Sequence, residues 1–156
     1  MRKRILALGA SFALPLATPA AAQVPADIEL ESVRPMAGSW TYRAIPGGTE
    51  AGFADSAGVQ RLVIRCNRVA RIVSVARTGV ARAAPMLAIW TSSSARSVPS
   101  RFLPSAELVA DLSAADPLLD AIAFSRGRFA TGAAGAPLVA VPTSAEAFRV
   151  IEDCRK

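Results

Sequence analysis

The chain has 156 residues, a formal net charge of +6 and no histidine. Without imidazole, the Ser-His-Asp and Cys-His catalytic sets fall away, and most zinc sites lose their usual ligand. Three of the 18 basic residues (Arg2, Lys3 and Arg4) lie in the first four positions while all 12 acidic residues lie beyond residue 22, which leaves +3 for the remainder, spread from Arg34 to Arg155 and nearly all as arginine; nucleic acid is therefore not an expected partner.

Arg2-Lys3-Arg4, a short apolar run over residues 5–16, and Ala20-Ala21-Ala22 before Gln23 have the form of a secretory signal peptide over residues 1–22, cut between Ala22 and Gln23. Gly9, Ser11 and Pro15 interrupt the run, which is well short of the ~20 apolar residues that span a bilayer. A periplasmic or secreted location without stable membrane insertion of the mature chain is the expectation. The residue directly after the cut is Gln23 and not cysteine, which argues against a lipid anchor. Residues 23–36, with Pro25, Pro35 and four charges, lack periodicity and read as an extended leader into one domain over residues 37–156.

From Trp40 onward the texture is β. Residues 39–45 form a strand that ends at Pro46-Gly47-Gly48, a strong turn signal, and residues 50–54 complete a hairpin. Over residues 59–66, Arg61 and Arg65 alternate with Leu62, Ile64 and Cys66, so Cys66 falls on the apolar face. A β-branched strand over residues 69–77 and another over residues 85–91, apolar on both faces, follow. Asp116 before Pro117 caps a helix over residues 117–124, and strands over residues 128–131 and 137–141 lead to a second helix of about 10 residues, for which Thr143 and Glu146 have capping-box spacing. Phe148 and Ile151, three apart, are expected on the same buried side as Cys154. Strands first and helices late predict an α+β, β-rich domain: an antiparallel sheet or small sandwich with two short helices in the C-terminal half.

Cys66 and Cys154 are the only cysteines. An even count in an exported chain predicts one disulfide, and the spacing is nothing like the Cys-x-x-Cys of redox pairs, so the bridge is read as structural.

Carboxylates are the catalytic resource that remains. Asp116 and Asp120 lie four apart on the predicted helix with Glu107 and Asp111 nearby in sequence, a pattern compatible with glycosidase chemistry but equally with a capping residue and a solvated first turn. Ser125, in Phe124-Ser125-Arg126-Gly127, lacks the first glycine and the base of a nucleophile elbow and reads as a turn residue. Residues 91–101, with three consecutive serines, Arg96 and Arg101, offer donors for an anion or form a solvated loop or edge strand that Pro99 protects. Trp40, Tyr42 and Trp90 belong to a ligand face or to the core. No catalytic, cofactor-binding or metal-ligating residue is assigned, and no cofactor is implied.

Gly38-Ser39-Trp40, Leu62-Val63-Ile64-Arg65-Cys66, the stretch DPLLDAIAFSRGRF from Asp116 to Phe129, and the ending Val150-Ile151-Glu152-Asp153-Cys154-Arg155 resemble a group of small, uncharacterised exported proteins of Gram-negative bacteria. The strand ending in Arg-Cys followed by later strands is also similar, in order of elements over part of the domain, to periplasmic accessory proteins of type VI secretion; this chain departs from them in placing its second cysteine on a terminal helix. The resemblance implies a compact periplasmic β-domain and carries no functional residues across. The resulting expectation is an exported, non-enzymatic domain that binds a protein or envelope component. Two alternatives stand beside it: a carboxylate-dependent glycan hydrolase, and an inhibitor of an envelope hydrolase such as lysozyme.

Overall fold

The computed structural model of the protein describes residues 28–156; the expected signal peptide, its cut at Ala22 and Gln23, and the first part of the leader lie outside the described residues. Among the described residues the strands are β1 (Gly38–Ile45), β2 (Gly48–Asp55), β3 (Gln60–Asn67), β4 (Ile72–Arg77), β5 (Met86–Trp90), β6 (Ala95–Leu103), β7 (Glu107–Ser113), β8 (Arg128–Gly132) and β9 (Val139–Pro142). Two helices, α1 (Pro117–Ala123) and α2 (Ala145–Arg155), lie in the C-terminal half. Every neighbouring pair is antiparallel, in the order β1-β2-β3-β4-β7-β6-β5-β8-β9. This is the β-rich α+β class that the alternating sequence predicts.

Side-chain alternation divides the sheet into two faces. Leu62, Ile64 and Cys66 of β3 stand opposite Arg77, Val75 and Val73 of β4, and all point to the inner face, while Arg61 and Arg65 point outward. Phe53, Leu87, Ile89, Leu108, Phe129 and Val141 fill the same interior from the other strands. Helix α2 covers the inner face of β1 to β4 with Ala147, Val150, Ile151 and Cys154, and α1 adds Leu118, Leu119 and Ile122. The predicted bridge is present: Cys66 and Cys154, both buried, are joined with their Cα atoms 5.4 Å apart, which fastens the end of α2 to β3.

The two ends of the sheet approach each other. The Trp40 indole N–H donates to Pro142 O (2.9 Å), the Met36 N–H donates to Ala140 O (2.8 Å), and the Trp40 ring lies 5.6 Å from Phe53 and 6.3 Å from Phe129. Residues 28–36 include one 3-10 turn (Leu30–Ser32) and cross the outer face of β5, β8 and β9, where Leu30 packs with Trp90, Ala130 and Ala140. Trp40 and Tyr42 are thus half-buried beside the main core, whereas Trp90 belongs to this second cluster.

Four expectations need correction. Residue 69 does not begin a strand: Asn67 Oδ1 accepts the Ala70 N–H (3.0 Å), Arg71 takes a left-handed φ of 52°, and Val69 stands 92% exposed at the tip of this turn before β4 starts at Ile72. Residues 95–103 form an internal strand and not a loop or edge. Residues 95–99 of β6 pair with β5 and residues 100–103 pair with β7, so Pro99, which has no N–H to give, sits where the strand changes partner. Ser144, not Thr143, caps α2, its Oγ accepting the Ala147 N–H (3.2 Å), because the helix begins at Ala145, one residue later than a Thr143 cap requires. Phe148 is only half-buried: it lies a further turn of the helix from Cys154 than Ile151 does, and its ring meets the exposed Phe124 at 5.7 Å.

Candidate functional site

Most of the chemistry singled out in the sequence meets where α1, the β5–β6 turn and the start of α2 come together. Asp116 caps α1 as predicted: its Oδ1 accepts the Leu118 N–H (2.8 Å), and Pro117 occupies the first helical position. Its other oxygen accepts from the Arg96 guanidinium at 2.7 Å. Burial pushes the Asp116 carboxyl up, but Arg96 and the Leu118 N–H outweigh it and hold it below the usual carboxylate range. Asp120, one turn on, pairs with Arg155 at 2.8 Å instead. The two carboxylates are therefore tied to different arginines.

Glu107 and Asp111 are separated from them by the sheet itself. They lie on the outward face of β7, whereas α1 packs into the interior. Glu107 meets Arg65 (3.1 Å), and Asp111 meets Arg101 (3.0 Å) and Ser74 (2.5 Å). On the same face Glu50, itself buried, lies between Arg43 and Arg65 at 2.5 and 2.6 Å. Burial would raise Glu50 and Asp111, and the arginines prevail, leaving both below their ordinary values.

Ser125 is a buried brace. Its Oγ accepts the Ser92 N–H (2.9 Å) and donates to Arg128 O, while Ser92 Oγ accepts the Arg126 N–H (2.9 Å). Thr91 closes the serine turn by accepting the Ser94 N–H (3.0 Å) and donating to Ser94 O (2.8 Å). These bonds fasten the loop after α1 to the β5–β6 turn, and between them Phe124 stands 69% exposed. One groove of about 510 Å³, lined by Ser93, Arg96, Asp120 and Phe124, lies on one side of this ring. A second of about 330 Å³, lined by Phe124, Thr143, Ser144 and Phe148, lies on the other.

Sequence reasoning did not single out Phe124 as a surface residue, and nothing in its own position could have done so: the apolar spacing of α1 reaches Ile122, and Phe124 follows the helix end. Arg77 was also missed, although a signal was present, because it continues the inward row of Val73 and Val75. It is 3% exposed, bonds Arg61 O (3.1 Å), Thr78 O (2.9 Å) and Pro137 O (3.3 Å), and is pushed down to about 10 by burial and by Arg61. It ties together carbonyls of β3, of the turn after β4 and of the loop before β9 at one end of the core.

Among the described residues no group of three or more histidine, cysteine, aspartate or glutamate side chains is arranged to hold a metal, and no helix is long and apolar enough to cross a membrane. The chain matches no family model, no curated protein and no solved structure. The functional reading therefore rests on the sequence and on the geometry of the described residues.

Proposed function

We propose that this chain is an exported, non-enzymatic periplasmic domain that binds a protein or envelope component, with the two grooves beside Phe124 as its binding face. The observation that carries this reading is the exposed Phe124 ring on a loop braced by Ser92 and Ser125. A rigid aromatic anchor flanked by concave surface is the kind of residue that dominates interface energetics, because little side-chain freedom is lost when it is covered. The export component rests on residues 1–22 and is supported by the buried Cys66–Cys154 bridge, since such bonds persist in oxidising compartments.

Carboxylate chemistry favours binding over glycan hydrolysis. A glycosidase needs one carboxyl group whose pKa is raised, so that it can donate a proton, with a second carboxylate facing it across the bond to be broken. Asp116 is held low by Arg96, and Asp120 is engaged by Arg155.

The test uses the chain from Gln23 to Lys156, its Phe124→Ser variant and its Asp116→Asn and Asp120→Asn variants. Retention of the purified protein on washed envelope fractions should fall at least about tenfold in Phe124→Ser while the melting temperature is unchanged. None of the proteins should release product from peptidoglycan fragments. Turnover that disappears in either aspartate variant would make the protein a hydrolase, and stoichiometric loss of lysozyme activity on mixing would make it an inhibitor.

A further inference from the structure

We propose that the free edge of β1 is a second binding surface, which takes an extended acidic segment of a partner polypeptide as an additional antiparallel or parallel strand. The inference stands apart from the Phe124 face. It begins with the β1–β2 turn, where Pro46 and Gly47 (φ 76°) form a two-residue connection and Ile45 pairs with Gly48. Hydrogen-bonded and non-bonded positions alternate along an antiparallel pair, so Arg43, Thr41 and Ser39 direct their backbone bonds to β2. The bond from the Ser56 N–H to Ala37 O keeps the same phase at the other end. The backbone N–H and C=O of Gly38, Trp40, Tyr42 and Ala44 therefore point away from β2.

Near Trp40 this edge is met by Pro142 of β9, but farther along nothing among the described residues bonds the outward backbone groups of Tyr42 or Ala44. Unpaired edges are ordinarily blunted by proline, charged side chains, a bulge or a covering segment. Strand β1 contains no proline, Arg43 is its one charged side chain, and its register with β2 is unbroken over eight residues. The opposite end of the sheet is treated differently, since Met36 bonds to Ala140 of β9. An open row of this kind is the recognition element for strand addition, in which main-chain bonds supply affinity and alternate side chains supply specificity.

Charge identifies the occupant. On one face of the edge the Arg149 guanidinium lies over the Tyr42 ring, 4.2 Å from its centre, with no carboxylate partner among the described residues. On the other face Arg43 is 68% exposed and shares its one carboxylate, Glu50, with Arg65. A second copy of this chain paired through β1 would bring two Arg149 and two Arg43 side chains to one joint. A strand with glutamate or aspartate at alternate positions would instead set carboxylates beside Arg149.

The test is amide hydrogen exchange on the chain from Gln23 to Lys156, followed by NMR, with an acetylated octapeptide of alternating valine and glutamate as probe. In the free protein the Tyr42 and Ala44 amides should exchange at least about tenfold faster than those of Thr41 and Arg43, and the peptide should slow them at least about tenfold. The same peptide with lysine in place of glutamate should give no protection. A version N-methylated at alternate amides should also fail, which tests the main-chain bonds without any substitution in β1. Phe124→Ser should bind the peptide as the parent does. Tyr42 and Ala44 amides already slow in the free protein, equal binding of the glutamate and lysine peptides, or protection that grows with protein concentration without peptide would each overturn the proposal, the last in favour of a second copy.

Discussion

Helix α2 and the arm at residues 28–36 each cover a face of the sheet, α2 the inner face of β1 to β4 and the arm the outer face of β5, β8 and β9, but they satisfy their backbones by opposite means. Apart from its ends, α2 makes its own hydrogen bonds, so it needs only an apolar stripe, a serine cap and the bridge at Cys154. The arm has one 3-10 turn and must borrow partners: Arg128 donates to Glu31 O (3.1 Å) and Val33 O (2.6 Å), and Met36 donates to Ala140 O. A cover without regular structure depends on single side chains of the surface it covers. The α2 cover is consequently the stronger and the arm the more easily detached.

The largest effect that would break this contrast is loss of the bridge. Replacing Cys66 and Cys154 together by alanine should destabilise the domain by about 4.6 kcal/mol, the chain-entropy value for a loop of 88 residues, as read from denaturant unfolding. A change below about 1 kcal/mol would mean that α2 is held by packing alone. Next comes Ile151→Ala. Ile151 is fully buried beneath the sheet, and the cavity left should cost about 3 kcal/mol in the same measurement.

Leu30→Ala tests the arm. Leu30 is almost as buried as Ile151, but it lies at the outer surface, where neighbours or water can close over the gap, so the expected loss is about 2 kcal/mol. Arg128→Ala should free the carbonyls of Glu31 and Val33 and make residues 28–36 the first site of limited proteolysis, with little change at α2. If α2 were cut before the arm in that variant, the ranking of the two covers would be reversed.

The contrast also explains what was legible in the sequence. The face of Cys66, the capping of α1 by Asp116 and the turn at Pro46-Gly47 are local, written in alternation and in residues suited to one backbone geometry. Strand β7 was as legible as these, with Leu108, Ala110 and Leu112 alternating against Glu107 and Asp111, but the carboxylates drew attention as chemistry instead of as an outward face. The docking of the arm was not legible, because it depends on Arg128, nearly a hundred residues away, reaching two of its carbonyls. The setting of Phe124 was hidden for the same reason: Ser92 and Ser125, which brace its loop, meet only in the folded chain.

Acid should separate the two covers further. The Tyr42 hydroxyl donates to Asp153 Oδ2 (2.7 Å) and Lys156 lies 3.5 Å from Oδ1, which ties the end of α2 to β1. Burial would raise Asp153, but these partners hold it below its ordinary value of 3.8. A carboxylate with a folded pKa below its unfolded one contributes stability that is fully present above the unfolded value and is lost as pH falls through the folded value. Amides of residues 150–156 should therefore lose protection below pH 3.8, and Asp153→Asn should remove that part of the acid response. The arm's tie through Arg128 uses carbonyl acceptors and has no carboxylate to protonate. An acid response at residues 150–156 that persisted undiminished after the Asp153→Asn change would leave the Tyr42–Asp153 tie without a role.

The smallest expected effect is that of Phe148→Ala. Helical spacing alone grouped Phe148 with Ile151 and Cys154, and a core position would make its removal cost roughly 3–5 kcal/mol. In the folded chain the ring is half-buried and leans on Phe124, which is itself exposed, so truncation opens no enclosed cavity and should cost less than about 1 kcal/mol. The same change removes one wall of the smaller groove and the neighbour that steadies Phe124. Phe148→Ala should accordingly fold with a near-parental melting temperature and yet weaken retention on envelope fractions. A large loss of stability would put the ring in the core after all. An undiminished retention in a stable variant would confine the binding face to the Arg96 side of Phe124 and leave α2 purely a cover.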